Sequence, residues 1–241
     1  MHFTTKSKLA VDMQISPKVK PINDTSSKNF LGLTLDSTLS WKTHTDQMSS
    51  KLNSACYITN SLKFVISTKY LRTIYFSYVH SNITYGAIFW GNSPYSNNIF
   101  KLQKRAIRNI MNAGNRVSCR ELFKKLNIIP IHSQYKLSLL VFVLKNIDEF
   151  TTNSDVHTIN TRHKSDLHPP SMKLAKYQKG VYYSGIKVFN HLPQNFKKIS
   201  WNVYKFKLTL RSLSWCVHFI HFRNIVNWLL GVILVLFKKF L

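Results

Sequence analysis

The chain has 241 residues, 44% of them hydrophobic, so it has enough apolar side chains for a folded core and is not disordered throughout. Lys and Arg number 34 against nine Asp and Glu, which gives a formal net charge of +25 at pH 7. An ordinary protein surface mixes both signs of charge, and here acidic residues are too few for that. Because such a surface repels itself, the composition indicates a polyanionic partner, with nucleic acid favoured over anionic lipid.

The first 40 residues are predicted to contain short β-strands. Apolar and mostly polar residues alternate near the N-terminus, as is typical of a strand. The apolar positions of this alternation are Leu9, Val11, Met13 and Ile15. Residues 30–36 predict one further apolar strand, in which Gly32 allows a bulge or the close approach of another part of the chain.

From about Trp41 the spacing of the apolar residues becomes that of α-helices. The first helix is expected to bury Met48, Leu52, Ala55 and Leu62. The second, with Ser67 as its N-cap, is expected to bury Leu71, Ile74, Tyr75, Tyr78 and Val79. A short helix should run from about Ser118 to Leu126, and a longer one after Pro130 should bury Tyr135, Leu139, Phe142 and Ile147.

A third helix, near residues 99–111, combines an apolar side with a basic face. Its apolar side is formed by Ile99, Leu102, Ala106, Ile107, Ile110 and Met111. A basic face of this length suits contact with phosphate groups, because the charges reach the ligand without entering a core. The candidate nucleic-acid contacts, chosen by basic character on predicted helices, are Lys42, Lys51, Lys101, Lys104, Arg105 and Arg108.

Beyond Asp148 the composition becomes polar and loses its periodicity. We therefore predict five regions: strands at 1–40, a helical domain at 41–148, an exposed basic loop at 149–175, a connection region at 176–214 and a hydrophobic tail helix at 215–241. The segment 177–193 interleaves aromatic and basic residues, so it could hold a single strand by stacking, although packing is favoured for at least half of its rings. A basic helix is expected at 203–214 through Phe206.

Cysteine and histidine spacing gives no support to a disulfide framework or a metal site. Cys56, Cys119 and Cys216 form no C-x-x-C pair, and the histidines at 157, 163 and 168 have no cysteine partners. The N-terminus has basic residues but no apolar secretory segment. The sequence therefore predicts an intracellular protein, in the nucleus or the cytoplasm, without a metal.

The C-terminal tail leaves three interpretations open. Residues 225–237 are almost entirely apolar and are followed by Lys238 and Lys239. This run is shorter than the roughly 20 residues that span a bilayer, and extending it back to Trp215 includes Arg223. A buried or interfacial helix is favoured over a membrane span, and a tail acquired by a frameshift or by truncated gene annotation is the third interpretation. Membrane contact through 215–241 is thus open but not favoured.

Several segments are informative through their order and spacing together. They are FLGLTLD at 30–36, LSW at 39–41 with His44, ITYG at 83–86 with Trp90 and Gly91, LQKRAIR at 102–108, SC at 118–119, LF at 122–123, the Tyr- and Gly-containing segment at 180–185 and FNHLP at 189–193. Taken together, this pattern resembles the reverse transcriptase of non-LTR (LINE-type, jockey-like) retrotransposons. The resemblance covers about residues 1–212.

The resemblance implies an α+β fold, with short strands from the edge of the palm followed by a mainly α-helical thumb-like bundle and a C-terminal helix. It places Phe30, Leu31, Gly32 and Trp41 in a primer-grip-like region, although a structural role is equally expected for Leu31 and Trp41. The implied partners are RNA and DNA as template and primer. The oligomeric state, and whether another chain supplies the palm, are left open.

Catalysis by this chain alone is not expected. The family's Tyr- or Phe-x-Asp-Asp motif holds Mg²⁺ between paired carboxylates, and we expect that motif to precede Met1. The only adjacent acidic pair is Asp148 and Glu149, which is interpreted as a solvated helix end. We therefore expect a fragment of an RNA-directed DNA polymerase that binds template and primer and has no catalytic residue or cofactor. The alternatives are a basic membrane-surface protein anchored by its C-terminal helix and a decayed element without a selected function.

Overall fold

The computed structural model describes residue 3, residues 25–158, residues 162–193, and residues 197 and 206. The strands expected at 9–15 and the helices expected at 203–214 and 215–241 lie outside these residues, except for Phe206. The described part is mostly helical and contains a two-stranded antiparallel sheet near its N-terminal end, so the expected α+β class is confirmed.

The sheet consists of β1, Ser27–Phe30, and β2, Leu33–Asp36. The α-helices are α1 Lys42–Leu62, α2 Thr68–Ile74, α3 Ser81–Thr84, α4 Ala87–Trp90, α5 Ser96–Ile110, α6 Cys119–Leu126, α7 Ile131–Lys145, α8 Asn153–Val156, α9 Ala175–Gln178 and α10 Val181–Asn190. A π-helical segment, Tyr75–His80, continues α2 into α3, and a 3₁₀ turn, Ile147–Glu149, follows α7.

Residues 30–36 form a hairpin turn and its second strand, so the prediction of one continuous strand is wrong. Phe30 pairs with Leu33, which leaves Leu31 and Gly32 as a two-residue loop. Both loop residues have positive φ, 47° and 75°, as the tight loops that join antiparallel strands require. The glycine also permits the expected close approach, since a Cβ at position 32 would lie 3.3 Å from Tyr85 Cε1.

The chain divides into two compact units. Unit 1 consists of residues 1–86 and 93–119, and unit 2 of residues 87–92 and 120–241. The helical domain predicted at 41–148 therefore contributes helices to both units. The predicted domain boundaries stay predictions.

In unit 1, α1 packs against α5, and β2 packs against α1. Met48, Leu52 and Ala55 are buried, as their spacing predicts, and Leu62 is half-buried. In the second helix the residues that are buried lie four apart: Leu71, Tyr75, Val79 and Ile83. Tyr78 is 43% exposed, contrary to expectation, because the wider turns of the π-helical segment favour spacings of four over three.

In unit 2, α7 packs against α10, and α4 packs against α7. Helices α7 and α10 are in close contact at Gly185 of α10, where a Cβ would lie 2.8 Å from Cγ2 of Val143 on α7. Tyr135 and Leu139 are buried as expected, whereas Ile147 is exposed because α7 ends before it, at Lys145.

The segment 149–175 is not an exposed loop throughout, so the prediction is wrong for Phe150, Asp166 and Leu167, which are buried. Leu167 is held by the Asn190 amide, which accepts from the Leu167 N–H at 2.9 Å and donates to its carbonyl at 2.8 Å. The negative charge of the buried Asp166 is compensated by Lys197, whose Nζ lies 2.6 Å from Asp166 Oδ1. Partners distant in sequence thus bury residues that local composition assigns to solvent, while residues 162–165 are exposed as predicted.

Candidate nucleic-acid interface

Within the predicted primer-grip-like region, a loop organised by Asp36 connects the hairpin to Trp41. Its carboxylate accepts hydrogen bonds from the backbone N–H of Thr38, Ser40 and Trp41 and from the hydroxyls of Thr38 and Ser40, at 2.7–3.1 Å. Burial works against the charged form, but these hydrogen bonds outweigh it and hold the pKa of Asp36 below its ordinary value. The carboxylate therefore fixes the path of the chain from β2 into α1.

This loop holds Leu39 and Trp41 in the left-handed region, at φ 50° and 64°. Such a conformation costs a non-glycine residue about 1–2 kcal/mol, which the Asp36 hydrogen bonds offset. Trp41 occupies the N-cap position of α1. Its ring packs edge-on against the His44 ring, with 6.1 Å between the ring centroids. Trp41 thus lies at the junction between β2 and α1, and its role in a primer-grip-like region stays a prediction.

The hairpin tip projects its side chains into solvent. Phe30 and Leu31 are both exposed, although both are large and apolar. The tip is tied to the far end of the second helix, because the Tyr85 hydroxyl donates a hydrogen bond to the Leu31 carbonyl. The exposed apolar tip is therefore held in a defined position within unit 1.

Beside the hairpin, unit 1 contains a cleft of about 340 Å³. It is lined by Gly32, His44, Gln47, Met48, Lys51, Ser81, Asn82 and Tyr85. Two of the predicted site residues, Gly32 and Lys51, thus come together here. Lys51 supplies the cleft's positive charge, and the Gln47 amide is oriented by its Oε1, which accepts a 2.8 Å hydrogen bond from the Thr34 hydroxyl.

His44 lies at the inner wall of the cleft and is buried. Its Nδ1 accepts a hydrogen bond from the Thr34 N–H at 3.4 Å, which requires the neutral ring. Burial first, and then the positive charge of Lys51, lower the pKa of His44 below its ordinary value. The positive charge of the cleft therefore comes from the lysine rather than from the histidine at neutral pH.

The basic face of α5 is present, but its four cations differ in surroundings. Lys101 and Arg105 are exposed, whereas Lys104 and Arg108 are half-buried. Lys104 Nζ lies 4.6 Å from the centroid of the Phe100 ring. Arg108 donates from Nε and Nη2 to the Val117 carbonyl at 3.1 and 3.0 Å, so its guanidinium braces the loop before α6. Lys101 and Arg105 are the better candidates for phosphate contact.

These cations lie in a part of the chain without opposite charge. Residues 47–119 contain nine Lys and Arg and no Asp or Glu. Arg105 is near enough to the buried Cys56 of α1 to oppose the rise in the pKa of that thiol, whose larger cause is burial. Lys42 and Lys51, both exposed on α1, belong to the same unit, so all six predicted contacts do. Their roles in binding stay predictions.

Sequence reasoning missed Gln47, Asn82 and Tyr85 as neighbours of Lys51. The segment ITYG at 83–86 was part of the resemblance, and its tyrosine was the available signal.

No protein-family model, curated protein or solved structure matches this chain in comparisons of its sequence and fold. Within the described residues, no three His, Cys, Asp or Glu side chains come together as metal ligands would. None of the helices in the described ranges is long and apolar enough to cross a bilayer. The tail at 215–241 lies outside those ranges.

Proposed function

We propose that this chain binds template and primer nucleic acid as a fragment of a non-LTR retrotransposon reverse transcriptase, and that unit 1 carries the binding surface. The observation that carries the proposal is the position of Lys51 in a cleft beside the exposed, tethered hairpin tip. A cation beside an ordered apolar edge suits a nucleic acid, because it offers one contact to phosphate and another to sugar or base.

In this proposal different residues of unit 1 contact different parts of the nucleic acid. Lys51 contacts a backbone phosphate at the cleft, and Phe30 and Leu31 contact the sugars or bases next to it. Lys101 and Arg105 on α5 add phosphate contacts that do not depend on sequence. The scarcity of acidic residues in unit 1 strengthens each of these contacts, because few negative charges lie near enough to repel the ligand.

The proposed activity is binding without autonomous synthesis. The sequence contains no adjacent Asp–Asp pair to hold the metal ions of a polymerase palm. We place the protein inside the cell, in the nucleus or the cytoplasm, where RNA and DNA are available to it.

The test is binding of the full chain to an RNA–DNA primer-template across a salt series. In one variant Lys51, Lys101 and Arg105 are replaced by Gln, and in a charge-matched control Lys145, Lys173 and Lys179, which are exposed in unit 2, are replaced by Gln. Three lost phosphate contacts should reduce the slope of log K against log salt concentration by about 2–3. The control should keep the slope of the unsubstituted protein, although its affinity should be lower by the same factor at every salt concentration.

Equal losses in the two variants would overturn the proposal, because binding would then follow net charge rather than the surface of unit 1. Binding that does not weaken with salt would overturn it as well, since phosphate contacts release counterions.

A further inference from the structure

A second surface of unit 1 lies where α1 turns into α2. Residues 57–70, here named the α1–α2 corner, expose five large apolar side chains. Their exposed fractions are Tyr57 73%, Ile58 48%, Phe64 77%, Val65 82% and Tyr70 63%. Exposure of five large apolar side chains within 14 consecutive residues indicates an interaction surface.

The backbone of the corner is ordered by its own hydrogen bonds. The N–H groups of Val65 and Ile66 both donate to the Leu62 carbonyl, at 3.0 and 2.9 Å, and the Tyr70 N–H donates to the Ser67 carbonyl at 3.0 Å. Buried Leu71 anchors the start of the second helix in the core. The exposed side chains are therefore presented from a fixed turn, which lowers the entropy cost of binding a partner.

The charge of the corner selects the partner. Lys63 Nζ lies 4.8 Å from the centroid of the Phe64 ring, and Lys69 is next to Tyr70 in sequence. The corner lies in the stretch 47–119, which has no acidic residue. Three of its five exposed apolar side chains are aromatic rings. The Phe64 ring, with the Lys63 ammonium over its face, and the exposed Tyr70 ring complement a ligand that has flat π faces on an anionic backbone.

We propose that the α1–α2 corner is a stacking platform for unpaired nucleobases, so that unit 1 holds single-stranded nucleic acid next to the hybrid. Phe64 and Tyr70 stack on bases, and Lys63 and Lys69 pair with the phosphates between them. This inference rests on the proposed function, because it assigns the single-stranded part of the same ligand to a separate surface.

The test uses the full chain and two probes: an oligothymidylate of about 16 nucleotides, a length that such platforms accommodate, and a blunt RNA–DNA hybrid without single-stranded ends. Phe64→Ala and Tyr70→Ala should each weaken oligothymidylate binding about tenfold, as loss of one stacked ring does. Binding of the blunt hybrid should stay within about twofold of the unsubstituted protein, because fully paired bases offer no face to the corner. Both side chains are exposed, and circular dichroism checks that the variants fold.

Two further variants separate stacking from apolarity. Phe64→Trp should retain oligothymidylate binding, whereas Phe64→Leu, which stays apolar but has no π face, should lose about as much as Phe64→Ala. Tyr78→Ala is the matched control, since Tyr78 is also exposed in unit 1 but lies outside the corner. Its oligothymidylate affinity should be unchanged.

The outcomes distinguish this inference from the proposed function. Hybrid binding that depends on Lys51, Lys101 and Arg105, with oligothymidylate binding indifferent to Phe64 and Tyr70, would overturn the stacking platform and leave the proposed function standing. Full oligothymidylate binding by Phe64→Leu would also overturn it. If the alanine variants keep the oligonucleotide but lose binding to vesicles of phosphatidylcholine and phosphatidylserine, the corner is a lipid contact and the proposal is wrong.

Discussion

The hydroxyl of Tyr85 donates a hydrogen bond to the carbonyl of Leu31, which lies 54 positions earlier in the chain. This contact joins the tip of the hairpin to the residue that follows α3. A two-stranded hairpin is marginally stable alone, so the tether and the packing of β2 on α1 define where the tip lies.

The first prediction concerns that tether. Tyr85→Phe should lower the free energy of unfolding of unit 1 by only about 0.5–1.5 kcal/mol, because water replaces an exposed hydrogen bond. Relative to the parent, the variant should nevertheless show faster amide exchange in β1 and β2, with a smaller change in α1. Hydrogen exchange with mass spectrometry measures both, and equal exchange in variant and parent would show that the tether does not order the tip.

The second prediction concerns the two-residue loop. Gly32→Ala should destabilise unit 1 by about 1–2 kcal/mol, since alanine at positive φ is strained and its Cβ meets the Tyr85 ring. Leu31→Asn should stabilise it by about 0.5–1 kcal/mol, because asparagine tolerates positive φ better than leucine does. Urea unfolding of both variants tests the pair, and a stabilising Gly32→Ala would contradict the loop geometry.

The third prediction concerns Asp36. Asp36→Ala should cost about 2–3 kcal/mol, and Asp36→Asn somewhat less, because the amide keeps one acceptor oxygen but cannot accept from the Trp41 N–H. The folded pKa is lowered, so this stabilisation is complete above the ordinary value of 3.8 and is lost as the pH falls through the folded pKa. The stability difference between parent and Asp36→Asn should therefore shrink in acid, as urea midpoints between neutral and acidic pH would measure.

The fourth prediction concerns His44. Its folded pKa lies below the ordinary value of 6.5, so on acidification the unfolded chain binds a proton before the folded chain does. The stabilisation from the neutral ring is complete above that value and declines as the pH falls towards the folded pKa. His44→Asn keeps an acceptor for the Thr34 N–H but does not titrate. Its unfolding midpoint should depend less on pH across this window, and an unchanged slope would contradict the assignment.

The sequence was sufficient where periodicity and burial coincide. The apolar stripe through Met48, Leu52 and Ala55 is buried on α1, and Ser67 lies at the predicted N-cap position of α2. The ends of α6 also agree with the predicted short helix. These features depend on neighbours within a few positions, which is the range over which sequence patterns carry information.

Sequence patterns were insufficient where a distant partner decides the outcome. Residues 30–36 look like one apolar strand, but positive φ at Leu31 and Gly32 turns the chain there, and the preceding polar residues supply the other strand. Leu167 is buried because Asn190, 23 positions later, satisfies its backbone groups. The cleft beside Lys51 likewise depends on residues 81–85 reaching the hairpin, which no local pattern specifies.

The position of α4 has a consequence for the order in which the chain can fold during synthesis. Trp90 is fully buried in unit 2, where α4 packs against α7, yet residues of unit 1 follow it in the chain. At about 5–20 residues per second, the ribosome makes α7 only several seconds after Trp90. During that interval α4, which carries Trp90, has been made, but α7, against which α4 packs, has not. The nascent chain therefore offers a chaperone a transient hydrophobic target.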